Sequence, residues 1–67
     1  MKNFWLNRRF REGTRVRYNG LDNKLSGKVG KIRKIYGGWV DVEFEFEGPI
    51  GAKKEIVSVE RETLEII

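Results

Sequence analysis

A chain of 67 residues with 14 Lys and Arg, 10 Asp and Glu, no His and no Cys is the size of one small domain, and such a domain buries only about 60% of its unfolded surface. Lacking His and Cys, it has no imidazole base, thiol nucleophile, disulfide staple or soft-ligand zinc site, and the missing Cys fits a reducing compartment. The net charge of +4 hides an asymmetry: residues 1–36 carry eleven cations against Glu12 and Asp22, for +9, and residues 37–67 carry three against eight acids, for −5.

A basic surface is the electrostatic footprint of a nucleic-acid binder. Oppositely charged strands can also simply pair across a sheet. Both readings stand at this point.

Residues 1–12 form a basic, aromatic segment in which Phe4, Trp5 and Phe10 interleave with Arg8, Arg9 and Arg11. A short helix, a strand capping the domain and a mobile arm all fit it. The apolar patch Phe4-Trp5-Leu6 is too short for a signal-peptide core, and no apolar run approaches the ~20 residues of a membrane span. The expectation is a soluble cytoplasmic protein that does not engage a membrane.

Residues 13–67 read as the folded domain. Gly13 to Tyr18 predicts a short strand with Val16 and Tyr18 facing in and Arg15 and Arg17 facing out. The polar stretch 19–26 predicts a loop. Gly27 to Tyr36 predicts a second strand. Its apolar residues Val29, Ile32 and Ile35 do not alternate cleanly, so a bulge or bend is expected near Gly30. Lys28, Lys31, Arg33 and Lys34 are its exposed positions.

Gly37-Gly38 predicts a two-residue hairpin turn. The strand after it alternates strictly: Val40, Val42, Phe44 and Phe46 against Asp41, Glu43 and Glu45, the pattern of a half-buried strand. A turn at Glu47–Gly51 contains Pro49, which cannot donate to a ladder. A fourth strand is expected over Lys53–Val59, a helical turn over Glu60–Thr63 and a short fifth strand over Leu64–Ile66. Together these predict an all-β, five-stranded SH3-like barrel with a short N-terminal extension. Its expected core is Val16, Tyr18, Val29, Ile32, Ile35, Val40, Val42, Phe44, Val57, Val59, Leu64 and Ile66.

The run Phe10-Arg-Glu-Gly13-Thr-Arg-Val16-Arg, then Gly20, then Ser26-Gly27-Lys-Val29-Gly30-Lys-Ile32, then Val40-Asp-Val42 resembles the KOW motif of NusG-type elongation factors and some ribosomal proteins. The resemblance spans residues 10–67. It implies a small barrel that binds RNA, DNA or proteins of transcription and translation complexes, with no catalytic motif. Similar patterns occur in other SH3-like barrels, including a small photosystem accessory subunit and the plasmid-type dihydrofolate reductase. A weaker similarity connects the chain to Sm-like RNA-binding proteins.

The candidate nucleic-acid contacts are Arg15, Arg17, Lys28, Lys31, Arg33 and Lys34, with Arg8, Arg9 and Arg11 as a basic arm. Phosphate contacts by such cations make binding salt-sensitive and only weakly sequence-specific. Tyr36 and Trp39 are candidate stacking groups, and base stacking contributes about 1–3 kcal/mol per base. Packing against Phe4 or Trp5 is the other reading of Trp39. The alternative function is protein docking, as an accessory or regulatory subunit, through Phe4, Trp5 and Phe10 or through Glu43 and Glu45. The acidic row Asp41, Glu43, Glu45 and Glu47 reads as a solvated face rather than a metal site. With no nucleophile–base pair and no phosphate loop, neither enzyme activity nor a cofactor is expected.

Overall fold

The computed structural model describes residues 10–67. Five strands form one antiparallel sheet: β1 (Arg15–Tyr18), β2 (Val29–Tyr36), β3 (Trp39–Gly48), β4 (Gly51–Glu60) and β5 (Leu64–Ile66). A 3-10 turn at Arg61–Thr63 joins the last two. The spatial order is β4-β3-β2-β1-β5, so β1 pairs with both β2 and β5, and β4 and β5 are the two edges. These edges share no ladder, and the sheet does not close into a barrel.

The alternation of β3 becomes burial directly. Val40, Val42 and Phe44 are fully buried, and Asp41, Glu43 and Glu45 lie on the opposite face. Val16, Tyr18, Leu25, Ile32 and Val59 complete the core, with Phe10, Ile35, Phe46, Val57, Leu64 and Ile66 partly buried around it. Phe44 meets Tyr18 edge-on, at 6.4 Å between ring centroids, the geometry that the ring quadrupoles favour.

The irregularity of β2 lies three residues beyond the expected place. Ile32 pairs with Val42 and Lys34 with Asp41, which leaves Arg33 as the extra residue. Ile32 and Ile35 are an odd number of residues apart, and an inserted residue restores a common inward phase. Gly30 itself is regular in register, buried, and paired with both Val16 and Phe44. A Cβ there would lie 2.6 Å from Val42 Cγ1 and 2.7 Å from the Glu43 carbonyl oxygen, so only glycine fits the approach. Val29 in consequence falls on the outer face, 37% exposed, and leaves the expected core.

The loop before β2 contributes to the core. Leu25 is buried, which its polar surroundings had concealed. The loop is held against the end of β1: the Gly27 amide donates to the Tyr18 carbonyl (3.0 Å), the Lys28 amide to the Leu25 carbonyl (2.8 Å), and the Asp22 amide to the Tyr18 hydroxyl (3.2 Å).

Of the Gly37-Gly38 pair only Gly37 takes a positive φ, at +62°. The second hairpin is longer than expected, with β4 starting at Gly51 opposite Gly48. Its residues Gly51–Ile56 are exposed. Two contacts tie the C-terminal turn back: the Arg61 amide donates to the Gly38 carbonyl, and the Asn19 amide to the Thr63 carbonyl. Among the described residues no helix is long and apolar enough to cross a membrane.

Candidate nucleic-acid interface

Strand pairing arranges the outward side chains in rows across the sheet. The row at the Gly37-Gly38 turn is Tyr36, Trp39 and Glu60. Next comes Lys34, Asp41 and Ser58. Beyond the bulge, Arg15, Lys31, Glu43 and Ile56 stand in line. Further along, Glu65, Arg17 and Val29 are aligned, with Glu45 opposite Lys54 on the other side of the sheet. The charge asymmetry of the sequence is thus a lateral one: cations on β1 and β2, carboxylates on β3.

The bland pairing is partly realised. Arg33 donates to Glu43 at 3.0 Å, and Arg17 lies 3.7 Å from Glu65. Both pairs are open to solvent, where such contacts contribute about 0.2–1 kcal/mol. The Ser58 hydroxyl donates to Asp41. Two of the β3 carboxylates are therefore engaged within the sheet. Arg15 and Lys31 face one another directly, and neither makes an ion pair among the described residues.

Lys28 is drawn away from this set. Its ammonium donates to the Glu45 carbonyl (3.2 Å) and sits 4.8 Å from the Phe46 ring centroid, half-buried. Lys34 stays on the face, 5.1 Å from the Tyr36 ring centroid. Tyr36 and Trp39 are cross-strand neighbours, 48% and 52% exposed. The two residues are paired in register at the turn, with the Lys34 ammonium over the Tyr36 ring.

Arg11 is exposed at the chain entry, where its amide donates to Thr14 Oγ1. Phe10 is partly buried, with the Arg61 guanidinium 4.5 Å from its ring centroid. Arg8, Arg9, Phe4 and Trp5 lie outside the described residues, as does any contact of theirs with Trp39.

A surface depression of about 250 Å³ opens on this face, lined by Arg15, Val29, Lys31, Glu43, Glu45 and Lys54 among others. Lys54 was missed by sequence reasoning. Its only signal was the Lys53-Lys54 doublet in an exposed strand, and the β3–β4 register is needed to bring it to this place. Among the described residues, no group of three or more Asp and Glu is arranged to hold a metal ion. No family model, curated protein or solved structure matches the chain.

Proposed function

We propose that this chain is an SH3-like domain of KOW type that binds RNA or DNA through the outer face of β1 and β2, with low sequence specificity. The observation that carries the reading is the conjunction on one face of two exposed aromatic residues, Tyr36 and Trp39, with the cations Lys34, Lys31 and Arg15. Rings that accept stacked bases beside cations that take phosphates form the usual single-strand platform. The engagement of Glu43 and Asp41 by Arg33 and Ser58 favours this reading over docking of a basic protein on the acidic strand. The five-strand order and the tight position of Gly30 in β2 suit a strongly coiled small sheet of the SH3-like kind.

The test is an amide NMR titration of the full chain with a short single-stranded RNA and a short DNA duplex, at low and high salt. Shifts clustered on residues 15–17 and 31–39 that weaken as salt rises are expected. Reversing Lys31 and Arg33 together to Glu should abolish them. An unchanged affinity in that variant, or no shifts at low salt with either nucleic acid, rejects the reading and directs the search to a protein partner.

A further inference from the structure

Arg15 and Lys31 form a directly opposed like-charge pair in β1 and β2, an arrangement that costs stability unless something of opposite sign sits between the two. The natural neutraliser is engaged elsewhere. Glu43 stands opposite Lys31 in register, but its carboxylate is taken at 3.0 Å by Arg33, the residue that the bulge adds to β2. Lys54 approaches the same depression from β4, with Glu45 directly opposite it. Arg15 and Lys31 line one side of this depression, and neither makes an ion pair among the described residues.

We propose that this depression is a seat for a single phosphate group, held by Arg15 and Lys31 with Lys54 at its rim. A phosphate suits it for three reasons. Its negative charge is complementary to Arg15 and Lys31, which no carboxylate pairs among the described residues. The guanidinium of Arg15 offers the two-pronged donor geometry that phosphate oxygens accept. Glu43 and Glu45, on the β3 side of the depression, repel an anion and confine it to the β1–β2 side. The phosphate comes either from a nucleic-acid backbone or from free phosphate or pyrophosphate. The first source rests on the function proposed above; the seat itself does not.

The experiment has two arms on the full chain. In the first, inorganic phosphate and pyrophosphate are titrated at constant ionic strength, with chloride as the balancing anion, while backbone amides are followed by NMR. Saturable shifts at Arg15, Gly30, Lys31 and Lys54 are expected. They should vanish in Arg15→Gln and in Lys31→Gln and persist in Lys53→Gln. In the second arm, affinity for a short single-stranded RNA is measured over a range of salt. Each of the first two variants should lower the slope of log K against log salt by about one. Saturation by phosphate without RNA binding upholds the seat, assigns it to free phosphate and rejects the nucleic-acid reading. RNA binding with affinity and slope unchanged in both variants, and no phosphate-induced shifts, overturns the seat and removes Arg15 and Lys31 from the nucleic-acid face, while RNA binding itself stands. No response in either arm rejects both.

Discussion

Gly30 lies directly opposite Phe44, and a Cβ at position 30 would come within 2.9 Å of Phe44 Cδ1. Phe44 is among the largest fully buried side chains, so neither residue can move aside without opening the core. Gly30→Ala should lower unfolding free energy by about 1–3 kcal/mol, the usual cost of overpacking. Urea unfolding followed by Trp fluorescence measures it. A midpoint equal to that of the parent protein would show that β2 and β3 can separate at this point at no cost.

The two turn glycines should behave differently. Gly37 has φ of +62°, and Gly38 does not share that positive φ. A side chain in the left-handed region costs about 1–2 kcal/mol. Gly37→Ala should therefore destabilise by that amount, and Gly38→Ala should be neutral or stabilise by up to about 1 kcal/mol through the unfolded state. Nothing lies within 4 Å of a Cβ built at either position, so the contrast isolates backbone conformation from packing. Thermal melts of the two variants decide it.

Leu21 and Leu25 occupy the same polar loop with opposite environments, 98% and 3% exposed. Leu25→Ala should cost about 2–5 kcal/mol, as for a core leucine. Leu21→Ala should stay within about 0.5 kcal/mol of the parent. Equal midpoints in denaturant would mean that the loop does not close the end of the core.

The Arg33–Glu43 pair is half open to solvent, with side chains 52% and 24% exposed. A double-mutant cycle with Arg33→Gln and Glu43→Gln should give a coupling of about 0.2–1 kcal/mol that shrinks with added salt. A larger, salt-insensitive coupling would assign the pair a structural role beyond surface electrostatics. The Glu43→Gln single variant carries a second expectation: with the carboxylate gone, the anion-repelling side of the depression is weaker and phosphate should bind more tightly.

Tyr36→Ala and Trp39→Ala should each weaken single-stranded RNA binding by about 1–3 kcal/mol if the rings stack on bases. Both side chains are exposed at the sheet's turn end, so the fold should survive either change. Retained affinity in both variants would confine recognition to the phosphates.

Much of the strand layout is visible in the sequence where one physical signal acts alone. The β3 alternation predicts its two faces because nothing there competes with period two. The Gly37-Gly38 turn and the short turn at residues 61–63 are visible for the same reason. β2 is harder to read because Val29, Ile32 and Ile35 cannot all face inward on one straight strand. Composition does not say which of them yields. The structure resolves the conflict by bulging at Arg33 and leaving Val29 outside, with Gly30 in the inward place.

That one choice also determines the electrostatics. Once Arg33 is the extra residue it reaches Glu43, and Lys31, otherwise the natural partner of Glu43, is left facing Arg15. The list of basic candidates could be written from the sequence. Which of them are engaged and which are free depended on register. Leu25 was hidden for a different reason, since two leucines in one polar loop carry no periodicity that says which of them is buried.

Among the described residues β4 has no partner on its outer side, an edge ten residues long, the kind of edge on which further copies of a chain can accrete. Its first half carries Lys53 and Lys54 beside one another, both exposed. Any incoming strand would have to strip water from two ammonium groups, and lysine on an exposed edge is a common guard against such growth. The same doublet that supplies a rim cation to the outer face thus also acts against fibril formation, which makes concentrated, salt-rich solutions, where that charge is screened, the conditions in which this small protein is most exposed to self-association.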